Sequence, residues 1–295
     1  MHAEEGVAGA DGINSSVRTA IQEAEKKPAV EIKTTGQRAW WGFLSKEDYE
    51  RILPDHADPK HIGFGIVKPT RKGYDTWKPI DEENDFRSFY ILPQQNRVQL
   101  TVIGPEHDED ATFGKRSTIH QVDAKQLLED YADYGDVANN LLKAVKSWNL
   151  WRLRDVDPFE EWASGKTVLV GDAAHAVQPH AGQGANQGIE DSEALAVLLR
   201  GWSGSADEVS ERVGQYLQLR QPRAQLYQIA SRHFGGSLKG KEKEVLGGPL
   251  DMDYANFYRI TAVWEGAEHA IKTNWKQEFP KGYEQFVNLK VAQSA

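Results

Sequence analysis

The run from Thr167 to Asn186 constrains the fold more than any other part of this 295-residue chain. Its first part, Thr167–Val170, is short, apolar and β-branched, which is typical of a buried strand. This strand ends directly on Gly171 and Asp172, a glycine-rich turn follows, and the pattern then predicts a helix from about Gly188 to Arg200. A strand, turn and helix of this kind indicate an open α/β sheet, with one carboxylate at the edge where such sheets bind ligands.

The predicted helix has an apolar face and a glycine-containing turn at its N-terminus. Ile189, Ser192, Ala196 and Leu199 repeat at helical spacing, so this face is expected to be buried. The turn Gly182–Ala185 is expected to expose backbone N–H groups at the positive end of the helix, which favours anions. Glycines there let a flat ligand approach the backbone, although glycines that serve only turn geometry are an alternative interpretation.

The rest of the chain divides into recognisable segments. Turn residues and apolar periodicity predict, in chain order, a turn and a helix within 1–25 capped by Asn14 or Ser15, mainly strands over 30–104, helix over 123–147, a strand over 150–156, a helix over 208–232 interrupted or kinked near Pro222, and an amphipathic helix over 254–274.

Composition excludes several classes of function. The formal net charge is −9, which argues against nucleic acid as a partner, and the absence of cysteine excludes disulfides and thiolate metal sites. The acidic runs 82–85 and 107–110 fit solvated turns better than metal ligands, so no metal site is predicted. No apolar run is long enough to span a membrane and no signal peptide is seen, so a cytoplasmic location is expected. The oligomeric state stays open.

Two long motifs resemble those of one enzyme family. The run from Gly171 through His175, Gly182 and Asn186 to Asp191 resembles the GD motif of group A flavoprotein monooxygenases, which include para-hydroxybenzoate hydroxylase and salicylate hydroxylase-like enzymes. The run Gly9–Arg18 looks like the DG motif of the same family, and it comes in the family's order. A softer match, Tyr216–Arg223, resembles a helix that follows the GD motif.

The resemblance implies roles for particular residues. Asp172 would hold the ribityl hydroxyls of FAD, and Pro179 would lie beside the isoalloxazine ring. Gly184, Ala185 and Asn186 would present N–H groups to the pyrimidine edge of that ring. Near the pyrophosphate, Asp11 and Arg18 would help to bind FAD and NAD(P)H. The predicted cofactor site also includes the motif glycines Gly9, Gly12, Gly171 and Gly182.

Three further residues are candidates for the substrate pocket. Trp40 and Trp41 lie in the first strand of the middle region, which in the family faces the flavin. Adjacent strand residues point to opposite faces, so at most one of the two faces a substrate, and packing in the core is the favoured alternative for each. His180 follows Pro179 and would approach the ring or the substrate, while a turn histidine bonded to backbone is an equal alternative.

The implied fold is α/β (α+β), a partial FAD-binding Rossmann-like domain with an inserted, mostly antiparallel sheet and C-terminal helices. Residues 1–28 and 150–232 would form the incomplete FAD-binding portion, 29–149 the substrate-binding sheet domain, and 233–295 a helical region. The family begins with a strand, G-x-G-x-x-G and a helix for the ADP half of FAD, and no such run occurs in this chain.

The implied function is an FAD- and NAD(P)H-dependent monooxygenase that hydroxylates or epoxidises an aromatic or other unsaturated small molecule. In the family NAD(P)H reduces the flavin, O2 then forms a C4a-hydroperoxide, and one oxygen atom passes to the substrate. Because the first FAD motif is not found, a truncated and inactive relative is the alternative. A flavin-dependent halogenase would be expected to carry a W-x-W-x-I-P motif, which is absent from the sequence.

Overall fold

The computed structural model describes residues 6–53, 65–67, 69–70, 73–74, 87–107, 118–237 and 264–273. The chain divides into two compact units, one within residues 1–33 and 154–295 and the other within residues 34–153. The first unit is therefore discontinuous in sequence, and each unit has its own hydrophobic core. The sequence-based boundaries at 28/29 and 149/150 lie a few residues from those of the two units.

The first unit contains a three-stranded sheet in the order β1-β11-β10. Strand β1 (Val7–Gly9) pairs in parallel with β11 (Thr167–Leu169), and β10 (Ala163–Ser164) pairs with β11 in antiparallel orientation. Helix α1 (Ser16–Ala24) follows β1 and packs closely on it, since a Cβ atom at Gly9 would lie 2.6 Å from a methyl carbon of Val17. The two motif-bearing segments are thus neighbours in one sheet.

Helices cover this sheet. In chain order they are α5 (Asp172–His175), a 3-10 turn (Pro179–Ala181), α6 (Gly184–Leu198), α7 (Ala206–Phe234) and α8 (Ala267–Lys272). Apolar residues of β11 and α7 meet in the core, which includes Trp162, Leu169, Tyr216 and Leu219, each fully buried. The long amphipathic helix predicted over 254–274 is represented in the described residues by α8, and its earlier part lies outside them.

The predicted buried face of α6 is wrong. Ile189 is 67% exposed and Leu199 is 36% exposed, and Ser192 and Ala196 are exposed as well. The helix instead buries the residues Gln187, Glu190, Asp191, Ala194 and Leu198. Charged and amide side chains occupy this face because two arginines of α7 lie against it, which no count of apolar positions in α6 reveals. The helix also begins at Gly184, four residues before the predicted start.

Helix α7 runs through Pro222, so of the two predicted alternatives, an interruption or a kink, the interruption is wrong. Proline inside a helix removes a backbone hydrogen bond and costs about 3 kcal/mol. Leu219, Arg220, Arg223 and Ala224 surround this position, and all four are buried. Their packing and hydrogen bonds stabilise the helix on both sides of the proline, so the local cost does not end it.

The second unit is built on a six-stranded sheet in the order β3-β6-β7-β2-β9-β8. The pairings recorded within it are antiparallel, such as Trp40 opposite Val102 and Tyr90 opposite Thr101. Its strands are β2 (Ile32–Ser45), β3 (Gly65–Val67), β6 (Ser88–Pro93), β7 (Arg97–Pro105), β8 (Thr118–Val122) and β9 (Trp148–Val156), with a separate pair β4 (Pro69–Thr70) and β5 (Gly73–Tyr74). The α/β fold with a mostly antiparallel sheet is confirmed.

Short helices pack on one face of this second sheet. They are α2 (Lys46–Ile52), α3 (Lys125–Asp130), a 3-10 turn (Ala132–Tyr134) and α4 (Gly135–Ala144). The helical segment predicted over 123–147 is therefore divided into three pieces. Across the described ranges, no helix is both long and apolar enough to cross a membrane.

Candidate functional site

The segment after β11 turns at two glycines that have positive φ angles, a region that favours glycine. Gly171 adopts φ 61° and ψ −141°, and Gly182 adopts the left-handed conformation with φ 61° and ψ 22°. The conformation of Gly171 is essentially restricted to glycine, because a Cβ atom would be strained there. Between these two points the chain forms α5 and the 3-10 turn, and after Gly182 it enters α6. The two glycines thus fix the course of the loop at the carboxyl edge of β11.

Asp172 presents a free carboxylate at this edge. Its side chain is exposed and accepts no hydrogen bond from any residue that the structure describes. Desolvation by the surrounding protein raises the pKa of Asp172, and attraction to His175 offsets part of the rise. A carboxylate of this kind can accept hydrogen bonds from hydroxyl groups of a ligand.

The N-terminus of α6 lies a short distance along the same segment and is open. Its N-cap residue Gln183 makes no side-chain capping bond, and the first turn contains no acidic residue. Ala185 and Asn186 are exposed, and the Asn186 amide donates to Gln183 Oε1 at 3.0 Å. The first N–H groups of a helix have no intrahelical acceptor, so this end carries a partial positive charge that suits an electron-rich ligand.

Asp11 caps the start of α1. Its two carboxylate oxygens accept from Ser15 Oγ at 2.5 Å, from Ser16 N at 2.7 Å and from Val17 N at 3.2 Å. Desolvation raises the pKa of Asp11, but these hydrogen bonds outweigh it and hold the pKa well below its ordinary value. Ser15 is the N-cap residue, one of the two predicted from the sequence, and accepts from Arg18 N.

Arg18 connects the two motif segments. Its buried guanidinium donates from Nη1 to Ala173 O at 2.9 Å and from Nη2 to Ile13 O at 2.5 Å. Ala173 belongs to α5, directly after Asp172. These bonds hold the DG-like and GD-like segments together without any ligand, a structural role that the sequence did not indicate.

A buried charged cluster lies beneath the same segment. Asp191 Oδ2 accepts from Gly171 N at 2.9 Å and lies 2.6 Å from His175 Nε2, while Oδ1 accepts from Arg220 Nε at 2.8 Å. Desolvation raises the pKa of Asp191, but the bonds and charges of His175 and Arg220 hold it below its ordinary value. Asp191, a residue of α6, thus bonds both to the loop after β11 and to α7.

Two more charges and an aromatic ring complete this cluster. Glu190 accepts from Arg220 Nη1 at 2.5 Å and from Arg223 Nε at 2.7 Å. Both guanidinium groups stack on the Trp264 ring, at 4.9 and 5.3 Å from its centroid. The acidic and basic side chains are paired, which offsets the cost of removing them from water.

The 3-10 turn places Pro179 and His180 at its start. His180 is 3% exposed, and desolvation lowers its pKa to about 4, so the ring is neutral at pH 7. Its ring packs over Gly235, where a Cβ atom would lie 2.2 Å from His180 Cδ2. Glycine at 235 is therefore what allows His180 to occupy this position at the end of α7.

The two tryptophans point away from each other. Trp40 is 3% exposed and lies in the core of the second unit, which is the alternative favoured from the sequence. Trp41 is half-buried on the opposite face, where its ring contacts that of Phe43 edge-on at 5.7 Å between centroids. Of the pair, Trp41 is the residue whose face is not filled by this core.

A family model described as FAD binding domain matches residues 5–228. A salicylate hydroxylase of Pseudomonas putida is 38% identical over 275 residues, which cover 91% of this chain and 61% of that protein. The chain belongs to the FAD-dependent monooxygenases.

Other members of this monooxygenase family match over similar lengths. FAD-dependent monooxygenase SAT7 of Stachybotrys chartarum is 31% identical over 272 residues, covering 87% of this chain and 53% of that protein. A structure of a salicylate hydroxylase substrate complex shares the fold with a TM-score of 0.65 at 23% identity, covering 94% of this chain and 62% of that one. The chain spans between 53% and 62% of the length of these relatives.

Proposed function

We propose that this chain provides the flavin- and substrate-binding parts of an FAD- and NAD(P)H-dependent hydroxylase of small aromatic compounds. The observation that carries the proposal is the free carboxylate of Asp172 at the end of β11, followed along the same segment by the N-terminus of α6, which has no side-chain cap. One group accepts hydrogen bonds and the other donates them, which are the two requirements of the flavin's ribityl chain and of its electron-rich pyrimidine edge.

The described residues fit FAD as follows. Asp172 would accept from the ribityl hydroxyls, and the N–H groups of Gly184, Ala185 and Asn186 would face the pyrimidine edge of the ring. Pro179 would lie along the ring. The positive-φ backbone at Gly12, Gly171 and Gly182 would admit the cofactor without Cβ clashes, while Gly9 allows α1 to pack closely on β1.

Asp11 and Arg18 would support the cofactor from the other motif. Their described hydrogen bonds are internal, so we propose that they shape the α1 N-terminus and its contact with Ala173 rather than reach out to a phosphate. The first N–H groups of α1, those of Ser16, Val17 and Arg18, already donate to Asp11 and Ser15, so this helix end is closed by its own caps.

FAD when bound supplies the redox chemistry, taking electrons from NAD(P)H and passing one oxygen atom of O2 to the substrate. The chain's part is to orient the ring and to exclude water around it. The relatives named salicylate hydroxylase indicate a hydroxybenzoate as the first substrate class to test. Of the three pocket candidates, Trp41 is half-buried, whereas Trp40 and His180 are each 3% exposed and would act as supporting residues within their own units.

The test begins with the visible spectrum of the purified chain after incubation with FAD and desalting. We expect a retained flavin band with vibrational structure, bleaching by NADH or NADPH, and oxygen uptake that rises when salicylate is added. The product should be one oxygen atom heavier than the substrate or its decarboxylated form by mass spectrometry. A colourless protein that gives no saturable change in an FAD titration would contradict the proposal and favour the inactive alternative.

A further inference from the structure

Helix α7 makes a series of hydrogen bonds to the backbone of the segment between β11 and α6. Tyr216 Oη donates to Leu169 O at 3.0 Å, at the start of the segment. Gln228 Nε2 donates to Ala176 O at 3.1 Å, in the middle. The same helix therefore contacts the segment at points seven residues apart.

The Ser231 hydroxyl is both a donor and an acceptor to the backbone at the end of the segment. Its hydroxyl donates to Gln178 O at 2.5 Å and accepts from Ala181 N at 3.1 Å. A single side chain thus satisfies one carbonyl and one amide on either side of Pro179 and His180. The 3-10 turn between them is held at both of its ends by one residue that is fully buried.

Two ion pairs reinforce these bonds. Near the start, Arg220 holds Asp191, which in turn binds Gly171 N and His175. Near the end, Arg232 Nε donates to Asp155 Oδ2 at 2.8 Å, and this carboxylate accepts from Gln178 Nε2 at 2.8 Å. Each arginine thus acts on the segment through a carboxylate.

The five α7 residues lie on one side of the helix, at spacings of 4, 8, 3 and 1 residues that stay within roughly half of its circumference. They are Tyr216, Arg220, Gln228, Ser231 and Arg232. Each is at least nine-tenths buried, so water does not compete for these bonds. A side-chain hydrogen bond to backbone fixes direction as well as distance.

We propose that α7 is a template for the backbone of the segment Leu169–Ala181, and that Gln228 and Ser231 are positioning residues for the flavin site. This inference rests on the proposed function for its effect on FAD, but not for its effect on the segment itself. Gln228 and Ser231 act through Ala176, Gln178 and Ala181, and so set where Pro179 and the start of α6 lie. Neither residue belongs to the two motifs that resemble the family's.

The experiment compares Ser231→Ala with Ser210→Ala in the whole chain. Ser210 is a matched control, because it is an exposed serine of the same helix whose hydroxyl donates within the helix to Ala206 O at 3.0 Å. Amide hydrogen exchange of residues 171–187 is measured without FAD, and FAD affinity and the visible flavin spectrum are measured well below the melting temperature.

We expect Ser231→Ala to speed exchange in residues 176–184 at least tenfold, to weaken FAD binding about tenfold and to shift the flavin band. Ser210→Ala should match the unaltered chain in all three. If Ser231→Ala does not fold, Gln228→Met provides the same comparison against Gln218→Met, since Gln218 is exposed on α7.

The proposal is overturned if a folded Ser231→Ala chain exchanges within twofold of the unaltered chain across the segment, or if exchange rises while FAD affinity and spectrum stay the same. If the unaltered chain binds no FAD, the proposed function fails separately. In that case unchanged exchange in Ser231→Ala still overturns the template, and faster exchange supports it.

Discussion

Asp172 is the residue on which the proposed binding of FAD would depend most directly. It has a free carboxylate among the described side chains, and hydrogen bonds to charged groups are worth about 1.5–3 kcal/mol. Asp172→Ala is expected to weaken FAD binding by about 10- to 100-fold, measured by titration of flavin fluorescence. Asp207→Ala removes an exposed carboxylate at the start of α7 and is the control. Equal affinities for the two variants would argue against the proposed role.

His180 gives the stability of the first unit a pH dependence. Its pKa is about 4 in the folded chain and 6.5 ordinarily, so between these values the unfolded chain binds a proton that the folded chain does not. His180 therefore leaves the free energy of unfolding unchanged above pH 6.5. As the pH decreases from 6.5 towards 4, protonation of His180 in the unfolded chain lowers this free energy by up to about 1.4 kcal/mol per pH unit.

His180→Gln should remove this component. Urea unfolding at pH 7, 6 and 5 gives the free energy of unfolding for both chains, and we expect a shallower slope with pH for the variant. Carboxylates that titrate below pH 5 contribute alike to both chains, so the difference in slope is the quantity to compare. Parallel slopes would mean that His180 is not buried as a neutral ring.

At the scale of elements, α6 and α7 are joined by buried charges. Asp191→Asn leaves Arg220 and His175 without their shared carboxylate, and breaking a buried pair costs about 3–5 kcal/mol. The free energy of unfolding in urea should fall by that amount. Glu129→Gln, which removes one partner of an exposed pair with Lys125, should cost less than about 1 kcal/mol. A loss of similar size for both would contradict the structural role of Asp191.

The same pair of helices shows what the sequence could and could not predict. The strand, turn and helix around Asp172 follow from β-branched residues, glycines and periodicity, which act locally. The prediction of which face of α6 is buried is wrong because Glu190 is paired with Arg220, a residue 30 positions later in the chain. A prediction from periodicity places charged residues in solvent unless their partner is known. Here the partner, Arg220, belongs to another helix, α7.

The site was predictable to a similar extent. Motif resemblance predicts Asp172 and the α6 N-terminus as parts of a cofactor site, and both are accessible in the structure, but their role stays a prediction. It did not reveal that Arg18 bonds to Ala173 O or that Ser231 bridges two backbone groups. Such contacts depend on the mutual placement of distant segments, for which neither composition nor spacing carries a signal.

At the scale of the whole molecule, the two cores should respond separately to mutation. Leu100 and Leu169 are fully buried in different units, and replacing a buried leucine by alanine costs about 2–5 kcal/mol. Leu100→Ala is expected to speed hydrogen exchange in residues 88–105, and Leu169→Ala in residues 167–175. If either variant accelerated both regions equally, the units would unfold as one.

The discontinuity of the first unit has a consequence for how the chain is made. Val7 pairs with Thr167, 160 residues later, whereas the pairings recorded in the second sheet join residues within one continuous stretch of chain, such as Gln37 with Pro105, 68 residues apart. Strand β1 must therefore wait, unpaired, while residues 34–153 are synthesised and can already collapse around their own core. The second unit can therefore assemble before the first, and the backbone of the segment that carries Asp172 is fixed only after α7 has emerged.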